Sequence, residues 1–340
     1  MMGNIFSNDY LVSSPAYSEI MNGTVLPQLT EKEKTSEIKG TDGHPLYCVY
    51  YEAEDPLATV VIVHGFTENA FKYAELIWSL LHLRFSVIAY DQRGHGRSWR
   101  DPDIRDLSVT HVDRFSEYTD DLAIICDHFF SVCPKPFLLF AHSMGGAVAS
   151  LFLEKRAEIF SAAVLSSPMI APYTGGFPAS LASAVSIAAK KLGKAKKKPF
   201  FMKTYNGPED FSTSCATDPA RFAWYDRIKA SRKEFQNSIP SYQWSYEALH
   251  VTNKILASGA PERISCPVLV FSAETDTSVL RDPQKAFIER VPQGRYIFVS
   301  GSRHEIFRSV NDVLFPWWHE IIQFYLSCVS SFLSGGGLSV

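Results

Sequence analysis

The stretch Phe137-Leu138-Leu139-Phe140-Ala141-His142-Ser143-Met144-Gly145-Gly146, running on into the helix-forming Ala147 to Lys155, decides how the rest of the chain is read. A short apolar run predicts a buried strand, and the segment after the serine predicts a helix. A serine between the two, with small residues two positions before and after it, has the pattern of a nucleophile elbow. There a sharp turn holds the hydroxyl exposed above a sheet. The small residues are needed because the two arms of the turn nearly touch. Ala141 and Gly145 meet that need, with alanine where glycine is usual. Alone the pattern recurs by chance, so its weight comes from the residues that follow.

Outward from this stretch, apolar runs and helical patterns alternate. Thr35 to Lys39 and Tyr47 to Tyr51 predict a hairpin around Asp42-Gly43. Thr59 to Val63, Ser86 to Tyr90, Ala162 to Leu165, Pro267 to Ser272 and Tyr296 to Val299 predict buried strands, with helices at Phe71 to Leu83 and Phe115 to Phe130. The expected fold is α/β, a mostly parallel central sheet covered by helices on both faces. Residues 35–168 and 263–340 form that core, behind an irregular lead-in at 1–34. Residues 169–262 break the rhythm and are expected to be a mainly helical lid inserted over the sheet's edge. This interval holds the small apolar run Ala179 to Leu192, then Lys190, Lys191, Lys194, Lys196, Lys197 and Lys198. Its later part is rich in aromatics, among them Phe222, Trp224, Tyr225 and Trp244, and reads as poor in carboxylates.

A chain of 340 residues suits one large α/β domain with an insertion, or two domains. Hydrophobic residues at 46% and charged ones at 20% are ordinary for a globular protein, and a net charge of −3 offers no basic field for nucleic acid. The six cysteines lack any C-x-x-C pair and read as reduced thiols in a cytoplasmic setting. No basic segment followed by an apolar core opens the chain, and the myristoylation-like pattern from Met2 to Ser7 reads as coincidence. Phe315 to Leu333 comes nearest to a membrane span, but His319, Glu320 and Gln323 interrupt it, so a buried C-terminal helix is expected.

Ligands of open parallel sheets bind beyond the C-terminal ends of the strands. A serine there needs an imidazole to take its proton and a carboxylate to fix the imidazole's tautomer, in the chain order Ser, acid, His for this class of sheet. Of the ten histidines only His304 and His319 follow the candidate acids. His319 falls in the C-terminal helix, whereas His304 lies in a loop after a strand, so His304 is the expected base. Asp276, with Val279 to pack beneath it, is the expected acid; Glu274 is the alternative. The backbone N–H groups of Met144 and Phe66 are the expected oxyanion donors.

At these residues the chain resembles the α/β-hydrolase superfamily, and more closely its bacterial lysophospholipase and monoacylglycerol-lipase-like branch. The resemblance is carried by His64-Gly65-Phe66, Lys72 to Leu76, Asp91 to Ser98, Ala141 to Gly146, Asp276 and Gly301 to Glu305, with His111 to Phe115 and Asp120 to Leu122 fitting the lysophospholipase branch. It spans roughly residues 45 to 325 and is looser in the lid. It implies hydrolysis of carboxylic esters of single-chain lipids, without a cofactor. An esterase or aminopeptidase with the same machinery is the alternative, and a catalytically silent binding protein of this fold a lesser one.

Other residues have plainer readings. Gly94-His95-Gly96 lacks a third glycine for a dinucleotide site, and Arg308 breaks the H-E-x-x-H zinc pattern that His304-Glu305 begins. Asp91, Arg93 and His95 are expected to brace their loop, and His64 and His142 to pack or orient. Asp120 and Asp121, adjacent on a helix, do not face one another. The lid's lysine run reads first as a solvated face, and alternatively as a basic edge resting on anionic lipid beside the apolar Leu181 to Ala189. Oligomeric state leaves no mark in the sequence.

Overall fold

In the computed structural model, which describes residues 10–14, 16–156 and 158–334, the alternation of strand and helix builds one large sheet with helices on both sides. From the N-terminus, α1 (Tyr17–Ile20) passes through a π-turn at Met21–Val25 into α2 (Leu26–Lys32), followed by the hairpin β1 (Glu33–Lys39) and β2 (Pro45–Tyr51). Next come β3 (Ala58–Val63), α3 (Ala74–His82), β4 (Phe85–Tyr90), the short β5 (Val109–Thr110), α4 (Ser116–Phe130), β6 (Phe137–His142), α5 (Met144–Leu153) and β7 (Ala162–Ser166). Between β7 and the next sheet strand lie α6 (Ala179–Lys191), α7 (Pro219–Ser231), β8 (Ile239–Pro240) and α8 (Tyr242–Ile255). The chain returns through β9 (Val268–Thr275), α9 (Arg281–Ile288), β10 (Gly294–Arg303) and α10 (Asn311–Ser334).

Among the described residues the main sheet has eight strands in the order β1-β2-β4-β3-β6-β7-β9-β10. Its first two neighbour pairs are antiparallel and the rest parallel. Every residue of β3, β4, β6 and β7 is buried, which requires cover on both faces. Alternation along β3 divides the core: Val61 and Val63 face α4, α5 and α9, while Val60 and Ile62 face α3, α10 and the N-terminal helices. The segment after β7 is anchored in both layers, through Trp244, Ala248 and Val251 of α8 on one side and Trp224 and Tyr225 of α7 on the other. All six cysteines are free, and four are buried.

Two expectations are corrected. Residues 17–32 of the supposed irregular lead-in are helical. Tyr17, Met21, Val25 and Leu29, four apart, put one apolar stripe into the core, with Met21 and Val25 fully buried. The turn-forming Asn22-Gly23-Thr24 and Pro27 disguised this spacing, and the π-turn accommodates them. The second correction concerns the last strand, expected to be buried. As β10 it pairs, among the described residues, only with β9 at the sheet's edge, and Phe298 stays 40% exposed. The Met2 to Ser7 pattern lies outside the described residues. The C-terminal helix is present as α10, and no described helix is long and apolar enough to cross a membrane.

Candidate active site

Ser143 sits at the junction of β6 and α5 with φ 52° and ψ −119°, a conformation that a non-glycine residue holds only under strain. The surroundings enforce it: Ser143 N–H donates to the Ser166 carbonyl (3.1 Å), and the Ser143 carbonyl accepts from Met169 N–H (2.8 Å). The closeness that the elbow demands is measurable at its glycines. A Cβ on Gly145 would lie 2.1 Å from the Val63 carbonyl oxygen, and one on Gly146 would lie 2.5 Å from Pro168 Cβ. Gly145→Ala therefore has to push α5 away from the end of β3. Because a displacement of order 1 Å costs about 100-fold in rate, a loss of that size is expected in the variant's turnover of an ester. Undiminished turnover would show that the elbow is looser than this geometry.

The expected partners converge on this serine. His304 Nε2 is 2.8 Å from Ser143 Oγ, and His304 Nδ1 is 2.7 Å from Asp276 Oδ2. Asp276 follows β9 and His304 follows β10, so each side chain comes off the C-terminal end of a strand. A register shift between Val299 and Arg303, with Gly301 at φ +73°, re-aims the chain so that His304 turns back over the sheet. The Asp276 carboxylate also accepts the N–H groups of Ser278 (2.8 Å) and Val279 (3.0 Å). Burial alone would raise its pKa, but the His304 imidazole and these N–H groups outweigh burial and hold it below the ordinary value. Glu274 does not reach the imidazole; its carboxylate accepts Gly301 N–H at 2.7 Å and steadies the β10 turn.

The two expected oxyanion donors lie on the segments that flank the serine. Met144 is the first residue of α5, where a backbone N–H has no intrahelical acceptor. The loop carrying Phe66 lies against Ser143, since a Cβ on Gly65 would be 3.0 Å from Ser143 Cβ. The next residue, Thr67, is held at φ 61°, an outlier for a β-branched side chain. His64 braces this loop: its Nδ1 is 2.7 Å from the Gly65 carbonyl, and its Nε2 accepts Gln92 N–H at 2.9 Å. His142 is buried with its ring centre 4.8 Å from that of His304. Burial pushes its pKa down to about 4 despite the nearby Glu68, so His142 itself is neutral at neutral pH. Asp91, Arg93 and His95 do brace their loop. The Asp91 carboxylate accepts the N–H groups of Ala70 and Arg97, Arg93 pairs with Asp121 and Glu117, and His95 Nδ1 bonds the Arg93 carbonyl.

A buried ionic chain that sequence reasoning missed joins the Phe66 loop to the His304 loop. Glu68 accepts from Gly65 N–H (2.6 Å), Tyr73 Oη (2.5 Å) and Lys72 Nζ (2.9 Å). Lys72 Nζ also reaches Glu305 (2.6 Å), whose other oxygen takes Arg308 (2.6 Å). Oppositely charged residues four and three apart in apolar surroundings were the available signal. What the chain concealed was that the two pairs meet. Alongside them opens a cavity of about 430 Å³, bounded by Thr67, Cys215, Glu305 and residues 203–210. The inserted segment contributes Glu209, Asp210 and Asp226 to its wall, so the expectation of a carboxylate-poor insertion does not hold. Among the described residues, no group of three or more His, Cys, Asp or Glu side chains is placed to hold a metal ion.

An elbow serine with this sheet and this strand order defines a serine hydrolase of the α/β-hydrolase fold. Residues 54–311 match the Hydrolase_4 family, described as serine aminopeptidase S33, and the chain belongs to that family. It is 29% identical over 307 residues to lysophospholipase L2 of Escherichia coli strain K12, an alignment that covers 85% of this chain and 86% of that protein. Human monoglyceride lipase is 31% identical over 146 residues, 42% of this chain and 46% of that protein. The crystal structure of Paleococcus ferrophilus monoacylglycerol lipase superposes with a TM-score of 0.65 at 21% identity, covering 83% of this chain and 99% of that one.

Proposed function

We propose that this enzyme hydrolyses the carboxylic ester of monoacyl lipids, lysophospholipids or monoacylglycerols, with Ser143, His304 and Asp276 as its catalytic triad. The observation that carries the reading is the hydrogen-bonded line from Ser143 Oγ through the His304 imidazole to Asp276, on a strained elbow, in a chain whose full-length relative is a lysophospholipase. In this mechanism His304 Nε2 takes the Ser143 proton as Oγ attacks the ester carbonyl. The N–H groups of Phe66 and Met144 receive the oxyanion, and the imidazolium hands its proton to the departing alcohol. Water activated by the same imidazole then cleaves the acyl-enzyme and restores Ser143.

A second reading has one observation in its favour. The family's description is an aminopeptidase, and Asp210 and Asp226 in the cavity form no ion pair among the described residues, which leaves them able to hold a free amine. Turnover of lysophosphatidylethanolamine, a monoacylglycerol, a short p-nitrophenyl ester and an aminoacyl anilide by the purified protein separates the two. The lipid reading expects the lysolipid or monoacylglycerol to be the best substrate, and preference for the anilide would overturn it.

The segment 169–262 is proposed as a lid, and its outer side as the place where lipid is met. Helix α6 is turned inside out: Ser186 and Ala189 are buried, while Leu181, Val185 and Leu192 are exposed. Phe200 and Phe201 follow at 85% and 65% exposure; Lys191 at the end of the helix and Lys194 and Lys197 beyond it form no ion pair among the described residues. Lys196 is engaged by Asp101 and Asp103 and drops out of the basic edge. Apolar side chains beside cations suit an anionic lipid surface. Each such side chain contributes about 1.5–3 kcal/mol when fully buried, so replacing Leu181, Val185, Phe200 and Phe201 with serine should weaken binding to anionic vesicles at least tenfold. Co-sedimentation unchanged by these replacements would remove the proposal.

A further inference from the structure

Arg221, on the first turn of α7, has a side chain wholly removed from water. A cation placed there needs an acceptor for each of its N–H groups. The acceptors come from widely separated parts of the chain. Glu75 of α3 takes the guanidinium bidentately (3.0 and 2.9 Å), and Asp218, just ahead of α7, takes it at 3.1 Å. The Val12 carbonyl accepts at 2.6 Å, the Ser309 carbonyl at 3.3 Å and Asn311 Oδ1 at 3.0 Å. A guanidinium is a rigid planar fork, so holding some of these acceptors fixes where the others stand.

One segment held this way is the N-terminal strap of residues 10–14 and 16–32. Val12 N–H and Tyr17 Oη donate to the Glu75 carboxylate (3.0 and 2.9 Å), and Tyr17 stands edge-on to Trp224 of α7 with ring centres 5.9 Å apart. Asn22 accepts from Trp224 Nε1 at 3.1 Å, and Ser18 accepts from Arg227 at 2.7 Å. Another is the loop that carries His304. There Arg308 donates to the Arg221 and Phe222 carbonyls (both 3.2 Å), while its own carbonyl accepts Asp218 N–H at 3.1 Å. Glu305 N–H donates to the Cys215 carbonyl at 2.9 Å. The His304 loop is therefore tied to the start of α7, and α7 to the strap. We infer that Arg221 is a positioning residue for His304, through which the N-terminal strap sets where the imidazole stands over Ser143. The strap lies ahead of residue 54, where the match to the family begins, so this support is an addition to the hydrolase core.

The inference rests on the proposed role of His304 as base, and two readouts on the full-length protein separate the two. Steady-state kcat and KM for a short p-nitrophenyl ester are measured beside hydrogen exchange of the backbone amides at 218–224 and 304–311. The variants are Arg221→Lys, Tyr17→Phe and Gln28→Ala. Lysine keeps a charge between Glu75 and Asp218 but cannot reach Val12, Ser309 and Asn311 together. Phenylalanine loses only the hydroxyl that steadies Glu75. Gln28 bonds Trp78 of α3 at 2.7 Å on the exposed side of the strap, so its loss leaves Arg221 and its partners intact. Since a displacement of order 1 Å costs about 100-fold, partial loosening should lower kcat about tenfold in Arg221→Lys and severalfold in Tyr17→Phe, with KM within about twofold. Exchange at both segments should quicken in the same two variants, while Gln28→Ala matches the wild type. An Arg221→Lys protein with a lower unfolding midpoint but wild-type kcat and exchange would overturn the inference, and so would equal losses in Gln28→Ala. If Arg221→Lys does not fold, Tyr17→Phe decides on the same readings. A wild type that cleaves no ester would overturn the hydrolase reading. The exchange data would then decide the strap alone: faster exchange at 304–311 upholds its link to that loop, and unchanged exchange removes it.

Discussion

Replacing Ser143 with alanine is expected to lower kcat for ester hydrolysis by about 10⁴-fold or more, and replacing His304 with alanine by a similar factor, each worth roughly 5 kcal/mol or more of transition-state stabilisation. The two are not independent. Without the hydroxyl there is no proton for the imidazole to remove, and without the imidazole the hydroxyl stays a poor nucleophile, so the double variant should be hardly slower than either single one. Asp276→Asn keeps the shape but offers its amide hydrogens where Nδ1–H needs an acceptor. It should cost about 10⁴-fold as well, through the wrong imidazole tautomer. Glu274→Gln, whose residue bonds Gly301 instead, should retain most of the activity. Far-UV spectra and unfolding midpoints would confirm that each variant is folded. A Ser143→Ala protein with wild-type turnover would remove Ser143 from the chemistry, and an Asp276→Asn protein with full activity would return the acid's role to Glu274.

The second large effect concerns Lys72. Replacing it with methionine leaves Glu68 facing Glu305 in a buried site, and breaking a buried ion pair from one side costs about 3–5 kcal/mol. Burial by itself disfavours the Glu68 carboxylate, but Lys72, with help from His142, overrides it and holds its pKa down at about 2 against an ordinary 4.5. A depressed carboxyl stabilises the fold fully above its unfolded value. That contribution is lost as pH falls from 4.5 towards 2. Urea unfolding of the wild type should therefore lose stability over that interval. Lys72→Met should be destabilised most near neutral pH and converge on the wild type under acid, where its carboxyls protonate. Since Glu68 also holds Gly65 N–H and Glu305 follows His304, kcat should fall in the variant by roughly 10–100-fold through misplacement. Equal stability of the two proteins at neutral pH would show that the ionic chain is not what joins the loops.

How much was legible in the chain follows from how local each signal is. The elbow was readable because strand, small residues and helix adjoin, and Gly145 and Gly146 stand where a Cβ would collide with β3 and Pro168. Asp276 and His304 were singled out by a rule of position, at the ends of strands, combined with chain order. Their 2.7 and 2.8 Å contacts depend on a bulge near Gly301 that the sequence marked only by a glycine. The N-terminal helices were missed because Gly23 and Pro27 argue locally for a turn, while burial of Met21 and Val25 decides otherwise. The exposure of β10 was missed because edge position belongs to the whole sheet and not to any strand. Least legible was the cavity. Lys72 and Glu305 lie 233 residues apart, and the carboxylates of 209–226 gain meaning only once the inserted segment folds beside them.

The most direct test of the triad is covalent. An alkyl fluorophosphonate, which phosphonylates a serine only when a neighbouring base has activated it, should label the wild-type protein at one site, and peptide mass spectrometry should place the adduct on Ser143. Ser143→Ala and His304→Ala should remain unlabelled while still folded. An adduct on any other residue, or full labelling of Ser143→Ala, would contradict the account.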